Sequence, residues 1–281
     1  MPRTHDFAQV DVFSSTAYLG NPVAVVLDAA DVSDEQMQRL ARWTNLSETT
    51  FLLPSSDPAA DYRLRIFTPG GELPFAGHPT LGSAAAWLAY GGTPADPDVI
   101  VQECGAGLVR IRRDGDTLSF AAPPTLRSGP LDEEHLTRIA RGFGIPRDAI
   151  IDHQWVDNGP GWAVVRLASA EEVLALEPDF ALIPDEMVGA TGSYPDGSAQ
   201  AIEIRSFAPR MGVNEDPVCG SMNASVGQWL TSTGALPTEY TASQGRRLDR
   251  AGVIQISVDD AGQVWVGGPT TVGIRGSIEL Q

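Results

Sequence analysis

The chain alternates between short segments of strand-like apolar and polar alternation and segments whose apolar residues have helical spacing. In the first half the strand-like segments are residues 7–13, 22–27, 49–53, 62–67, 99–102, 108–112 and 118–121. A helix is predicted at residues 33–43, because Ser33 and Gln36 fit a capping box at its start. The small-residue segment 79–90 predicts a second helix.

The second half of the chain repeats this plan and part of its sequence. Strands are predicted at residues 153–156, 162–167 and 201–207. A Phe-x-Pro motif, a glutamate, a Pro-x-x-Gly motif and a Trp-Leu pair recur in the same order, as Phe67, Glu72, Pro74, Gly77 and Trp87, and as Phe207, Glu215, Pro217, Gly220 and Trp229. A duplicated unit of strands and a helix predicts two similar domains that face each other across a cleft, with the repeated loops lining it.

Charge and composition exclude several functional classes. The 281 residues include 36 acidic and 19 basic side chains, a net charge of -17 that repels phosphate backbones and anionic lipid headgroups. We therefore expect neither a nucleic acid nor a membrane as partner. All the basic residues are arginine, which excludes protein classes that need a lysine amine. These are enzymes that bind pyridoxal phosphate as a Schiff base, aldolases that use a lysine Schiff base, and P-loop nucleotide-binding proteins.

Cysteine and histidine positions indicate a reduced chain without a metal site. Cys104 and Cys219 are far apart and form no CxxC motif, and His5, His135 and His153 lack metal-ligand spacing. Acidic residues interrupt the N-terminal segment, and every apolar run is shorter than a membrane span. A soluble, cytoplasmic protein is expected.

Two glycine loops that lead into helices are the first candidate binding elements. They are Gly77-His78-Pro79-Thr80 and Gly220-Ser221-Met222-Asn223. Backbone N–H groups without intrahelical partners and the positive end of the helix dipole attract anions at such positions, so the two loops together suit a carboxylate. The alternative is ordinary helix capping by the side chains of His78 and Ser221.

Glu48 is the candidate proton-transfer residue. It precedes the apolar segment 51–53, and a carboxylate at this position is expected to be partly desolvated, as general acid-base chemistry requires. The alternative is a polar residue at the end of a strand or a loop cap. His78 and Asp216 are the other titratable candidates in the repeated loops.

Together these motifs resemble the phenazine-biosynthesis PhzF-like isomerase family, which shares its fold with diaminopimelate epimerases. The resemblance covers nearly the whole chain. It rests on Asn45-Leu46-Ser47-Glu48-Thr49, Phe67-Thr68-Pro69, residues 77–82, Phe207-Ala208-Pro209, residues 215–221, residues 10–13, Gly20-Asn21-Pro22 and Gln244-Gly245.

The resemblance implies a duplicated α+β, diaminopimelate epimerase-like fold, each domain a mixed sheet wrapped around a central helix. The expected domains are residues 1–122 with 270–281, and residues 125–269, with the last strand crossing back to the first domain and the active site in the interdomain cleft. It also implies a homodimer and, without any cofactor, a proton shift on a small carboxylate-bearing amino or hydroxy acid, a reaction of antibiotic or other secondary metabolism.

The same resemblance assigns the site residues. Glu48 is expected to shuttle the proton, and Asp216 and His78 to orient the substrate and assist. Gly77, Gly220 and Ser221 are expected to bind the substrate carboxylate, with Cys219 at the pocket.

One departure separates the chain from the related epimerases, which use two opposed cysteines. By the repeat, the two cysteine positions are Ala76 and Cys219, so only one thiol is present. This favours a proton shift by Glu48 over two-thiol inversion. Two alternatives stay open: a thiol-assisted epimerase that uses Cys219 with Glu48, and a non-catalytic protein that binds a small ligand.

Overall fold

A computed structural model describes residues 3–115 and 117–280. The chain forms two compact units, Met1–Ala121 with Gly267–Gln281, and Ala122–Val266. We call them unit 1 and unit 2. The elements in chain order are β1 (Arg3–Val12), β2 (Asn21–Val26), α1 (Asp34–Thr44), β3 (Thr49–Leu53), β4 (Tyr62–Phe67), β5 (Glu72–Leu73), α2 (Gly77–Ala89), β6 (Val99–Cys104), β7 (Gly107–Asp114), β8 (Thr117–Ala121), β9 (Arg127–Gly129), α3 (Glu133–Phe143), β10 (Asp152–Asp157), β11 (Ala163–Arg166), α4 (Ala170–Ala175), β12 (Val188–Ser193), β13 (Ile202–Ala208), β14 (Val213–Asp216), α5 (Gly220–Ser232), β15 (Glu239–Gln244), β16 (Gly252–Val258) and β17 (Val264–Leu280).

The strand and helix predictions of the first half are confirmed to within a few residues at the element ends. The predicted capping box of α1 is present: the Ser33 side chain accepts the Gln36 N–H, and the Gln36 side chain accepts the Ser33 N–H. Asn45 ends the helix in the left-handed conformation, with φ of 53°. The chain therefore turns sharply after α1 and enters β3 within four residues.

Unit 1 is a mixed sheet around one buried helix. β1 pairs antiparallel with β2 and β17, β2 parallel with β3, β3 antiparallel with β4, and β4 parallel with β6. The succession continues through β7 and β8, and β8 pairs with β17, so the pairings close on themselves. Most of α2 is buried, and it packs against β1, β2, β3, β4 and β8, which is why its sequence is small and apolar on every face.

Unit 2 repeats this succession of pairings. β10 pairs antiparallel with β11, β11 parallel with β12, β12 antiparallel with β13, β13 parallel with β15, and β15 antiparallel with β16. The order of antiparallel and parallel pairs is that of β1, β2, β3, β4, β6 and β7. α5 is the buried helix of this unit and packs on β10 and β16. The expected duplicated α+β fold, a mixed sheet with a central helix in each half, is confirmed.

A salt bridge that the sequence analysis did not identify occurs in both units. In unit 1 the Arg65 guanidinium donates two hydrogen bonds to the Glu72 carboxylate, at 2.8 and 2.6 Å, and lies 5.1 Å from the Phe67 ring centre. In unit 2 Arg205 does the same with Glu215, at 2.9 and 2.8 Å, and lies 5.0 Å from Phe207.

In unit 1 the bidentate pair joins β5, the strand before the glycine loop, to β4. In unit 2 it joins β14 to β13 in the same way. The pair of unit 2 is buried, whereas that of unit 1 is partly exposed.

Candidate active-site residues

Glu48 and His78 lie together in unit 1. The Glu48 carboxylate oxygen Oε2 is 3.2 Å from His78 Nε2, and only 14% of the Glu48 side chain is exposed. The Glu48 side chain, directly before the start of β3, is thus largely sheltered from solvent. A carboxylate that is largely sheltered from solvent, beside a second titratable group, is suited to proton transfer.

The pair is brought together by the packing of α2 on β3. Glu48 directly precedes β3, and His78 is the second residue of α2. In the middle of α2, the hydroxyls of Ser83 and Thr50 share a hydrogen bond of 2.9 Å, and Thr50 also donates to the Ala24 carbonyl. All of these positions except Glu48 are buried, so the helix start is held in register with the start of β3.

The His78 ring is neutral at physiological pH. Burial lowers the pKa of His78 to about 3, and a hydrogen bond with the Pro22 backbone opposes this shift only in part. The Glu48–His78 contact is therefore not an ion pair. In a neutral imidazole one ring nitrogen donates and the other accepts, so the tautomer of His78 decides whether Nε2 faces Glu48 as donor or as acceptor.

Asn21 is a neighbour of His78 that sequence reasoning did not place in the site. Its Nδ2 lies 3.3 Å from His78 Nδ1, and both side chains are buried. The Gly20-Asn21-Pro22 motif, noted only as part of the resemblance, was the available signal. The preceding Gly20 N–H donates to the buried Asp11 carboxylate at 2.9 Å, which fixes the turn that delivers Asn21.

Neither central helix begins with a side-chain cap among the residues described. The N-cap residues are Ala76 for α2 and Cys219 for α5. The alternative of capping by His78 and Ser221 is therefore wrong. The first N–H groups of each helix have no intrahelical partner, which leaves backbone donors at Gly77 and at Gly220 and Ser221 for an anion.

In unit 2, Asp216 ends β14 and Cys219 precedes α5. The Asp216 carboxylate accepts the Val218 N–H at 3.0 Å, which closes a tight turn. Cys219 is buried, and its Sγ lies 3.4 Å from the Ser221 hydroxyl.

Ser221 is held by two residues that the sequence analysis did not select. The Trp162 indole N–H donates to the Ser221 hydroxyl, and the Asn158 side chain donates to the Ser221 carbonyl, both at 3.0 Å. Both residues come from the turn-rich segment 157–162, whose only sequence signal was its Asn-Gly-Pro-Gly composition. Glu48 and His78 thus belong to unit 1, and Asp216, Cys219, Gly220 and Ser221 to unit 2.

The remaining histidines have structural partners. His135 Nε2 lies 2.7 Å from a Glu186 oxygen, and His153 Nδ1 accepts the Leu131 N–H. His5 contacts the Asp28 carbonyl. In the part of the chain that the structure describes, no three histidine, cysteine or acidic side chains form a group suited to a metal ion, and every helix is too short or too polar to cross a bilayer.

Comparison with known proteins gives consistent matches over nearly the full length. A family model described as "Phenazine biosynthesis-like protein" matches residues 10–277. The chain is 40% identical to "Antisense-enhancing sequence 1" of Schizosaccharomyces pombe, over 97% of this chain and 98% of that protein. It is 34% identical to the trans-2,3-dihydro-3-hydroxyanthranilate isomerase of Pseudomonas aeruginosa, over 92% of each protein.

Solved structures share the fold. A PhzF-family protein of Bacillus anthracis matches with a TM-score of 0.84 at 20% identity, covering 98% of this chain and 99% of that one. A hydroxyproline epimerase of Agrobacterium vitis matches with a TM-score of 0.60 at 13% identity, covering 99% and 93%. The expected epimerase-like fold is confirmed.

Proposed function

Because the chain belongs to the phenazine biosynthesis-like PhzC-PhzF family and is an isomerase of that family, we propose that it moves a proton between two carbons of a small carboxylate-bearing amino or hydroxy acid. The observation that carries the proposal is the sheltered Glu48 carboxylate, 3.2 Å from an uncharged His78. The activity named for the P. aeruginosa relative supports the substrate class.

In the proposed reaction Glu48 acts first as base and then as acid. It takes a proton from a carbon next to a double bond, the electron pair of the broken C–H bond shifts the double bond, and the same proton returns to a distant carbon of the conjugated system. Atoms and electrons balance within the substrate. The neutral His78 ring, 3.2 Å from Glu48, would pair with the carboxylate or with the carboxylic acid according to its tautomer.

The remaining predicted residues would hold the substrate. Backbone N–H groups at Gly77, Gly220 and Ser221 would bind the substrate carboxylate, because a chain of net charge -17 needs local positive potential to bind an anion. Asp216 would accept a hydrogen bond from the amino or hydroxyl group. That these loops of unit 1 and unit 2 act on one substrate stays a prediction.

The test is turnover of trans-2,3-dihydro-3-hydroxyanthranilate in D₂O, followed by NMR, with a panel of related unsaturated amino and hydroxy acids. Removing general acid-base catalysis typically costs about 10² to 10⁴ in rate, or roughly 3 to 5 kcal/mol of barrier. We expect Glu48→Gln to lose at least a hundredfold in kcat with the fold intact. The matched control is Glu134→Gln on the exposed face of α3, which should leave kcat unchanged.

Wild-type turnover by Glu48→Gln would refute the role of Glu48. Absence of turnover and of deuterium incorporation across the panel, with ligand still bound, would instead favour the non-catalytic binding protein.

A thiol-assisted epimerase is the second candidate, supported by the buried Cys219 at the start of α5. Ala76 stands at the N-cap of α2, so any thiol would have to act with Glu48 rather than with a second cysteine. This reaction places deuterium at a single inverted stereocentre and requires the thiol. We expect Cys219→Ser to keep most activity under the proton-shift mechanism; a loss as large as that of Glu48→Gln would favour the epimerase.

A further inference from the structure

Gln244, the last residue of β15, makes four hydrogen bonds inside unit 2. Its Oε1 accepts the Cys219 N–H at 3.1 Å and the Asn223 side-chain amide at 2.8 Å. Its Nε2 donates to the Asp216 carbonyl at 3.0 Å and to the Ser206 hydroxyl at 3.1 Å. Gln244, Asn223 and Ser206 are all fully buried. The carboxamide thus uses both donors and both acceptor positions.

Two of these partners fix the direction of the amide. The Cys219 N–H can only donate and the Asp216 carbonyl can only accept, so the oxygen of Gln244 must face Cys219 and its nitrogen must face Asp216. One rigid, planar group therefore holds both ends of the turn from Asp216 to Cys219. This turn carries the Asp216 side chain and delivers the first N–H groups of α5.

Asn223 reinforces the hydrogen bonds of Gln244 at the Cys219 end of the turn, and the corresponding position of unit 1 carries no amide side chain. Asn223 donates to the Cys219 carbonyl as well as to Gln244, which ties the first turn of α5 to the same amide. In unit 1 the corresponding last residue of β6 is Cys104, whose thiol contacts the Gly107 carbonyl within its own hairpin.

The glycine that follows is shared by both units. A side chain on Gly105 would lie 2.8 Å from the Pro74 Cα, and one on Gly245 would lie 2.6 Å from the Pro217 carbonyl. Close packing of the strand end against the loop proline is thus common to both units, whereas the amide belongs to unit 2 alone.

We propose that Gln244 is a positioning residue that holds Asp216 and the start of α5 in the geometry that binds substrate. The inference rests on the proposed function, because it assigns Gln244 a part in that reaction. Displacing a binding group by about 1 Å can cost roughly a hundredfold in rate. Losing the amide removes the hydrogen bonds by which Gln244 reaches both ends of the Asp216–Cys219 turn, so we expect weaker binding and slower turnover.

The test compares Gln244→Met with two variants in the same unit. Gln244→Met keeps the length of the side chain and removes all four hydrogen bonds. Ser206→Ala removes only the hydrogen bond that does not reach the loop. Thr191→Val removes one buried hydrogen bond, 3.1 Å long, to the Glu203 carbonyl, and so controls for the loss of a buried hydrogen bond in unit 2 away from the loop.

Hydrogen exchange of the Cys219 backbone N–H, measured by NMR, shows whether Gln244 holds the turn, and it does not depend on enzyme activity. We expect exchange in Gln244→Met to be at least about tenfold faster than in Thr191→Val, since the amide loses its buried acceptor. In steady-state kinetics we expect kcat/KM of Gln244→Met to fall about ten- to hundredfold with a raised KM, and that of the two comparison variants to stay within about threefold. If Gln244→Met does not fold, Gln244→Asn withdraws the amide by one methylene and should change both measurements in the same direction.

Unchanged exchange at Cys219 would overturn the proposal, because the hydrogen bonds would then not hold the turn. Faster exchange with unchanged kcat and KM would overturn the positioning role while leaving the isomerase assignment intact. If wild-type protein turns over no substrate of the panel, the proposed function fails, and the exchange measurement still decides whether Gln244 holds the turn.

Discussion

Gly82→Ala in the central helix of unit 1 is expected to destabilise the protein. A methyl group on Gly82 would lie 2.3 Å from Val23 Cγ1 and 3.0 Å from Val12 Cγ2, and both valines are fully buried in the sheet around α2. The nearer contact is roughly 1 Å short of an ordinary van der Waals distance. Because Val23 is β-branched and enclosed, its methyl group cannot move away without shifting the strand or the helix.

The magnitude is a balance of two opposing effects. Replacing glycine with alanine inside a helix stabilises it by about 1 kcal/mol. Overpacking a buried site costs about 1 to 3 kcal/mol, and more where the neighbour cannot yield. For Gly82 we expect a net loss of about 1 to 2 kcal/mol in the free energy of unfolding. Since His78 precedes Gly82 by one turn, the substitution should also lower kcat through the Glu48–His78 contact.

Gly227→Ala in α5 is the matched control. Its methyl group would lie 3.1 Å from Ile256 Cγ2 and 3.4 Å from Val264 Cγ1, contacts that side chains can relieve by a few tenths of an ångström. This variant should be close to wild type in stability. The assay is urea unfolding followed by circular dichroism, together with the double variant Gly82→Ala/Val23→Ala, which should be more stable than the sum of its single changes. Gly82→Ala as stable as wild type would refute the steric argument.

Three further predictions follow from buried groups. His78, with a pKa of about 3, should show no NMR titration between pH 5 and 8; a midpoint near 6.5 would contradict its burial. Burial raises the pKa of Glu203, so its ionisation opposes folding as the pH rises above the unfolded value of 4.5. In urea unfolding, the stability of Glu203→Gln relative to wild type should therefore be greater at pH 8 than at pH 4, and a difference that does not change with pH would count against this. Gly245→Ala should lose about 1 to 3 kcal/mol, because φ is 95° and the Cβ would lie 2.6 Å from the Pro217 carbonyl; wild-type stability in thermal unfolding would contradict the strain.

Much of the fold was predictable because its signals are local. The capping box of Ser33 and Gln36, the strand before Phe67 and its repeat before Phe207 depend on neighbours within a few positions. The repeat can be recognised from the sequence because this requires only a comparison of one segment with another. Glu48 was identifiable for the same reason, since the residue lies next to an apolar strand.

Parts of the candidate site depend instead on which distant segments meet. Asn21 contacts His78, which is 57 residues away in the sequence, and Trp162 contacts Ser221, which is 59 residues away. The residues around Asn21 or Trp162 do not indicate which distant residue each one contacts. The Arg65–Glu72 and Arg205–Glu215 pairs occur at repeated positions but become visible only when strand pairing sets the register. The charge state of His78 follows from burial, which is a property of the packed unit.

The sequence by itself determined the order of strands and helices in the first half, the duplication and the identity of the acidic residue beside β3, because periodicity, capping and turn preferences act over a few residues. Tertiary structure alone decided that His78 is uncharged, that Ala76 and Cys219 rather than polar side chains begin the central helices, and that Gln244 holds the loop after Asp216. These features need desolvation and hydrogen bonds between residues far apart in the chain, and such contacts exist only once the sheet and its helix have packed.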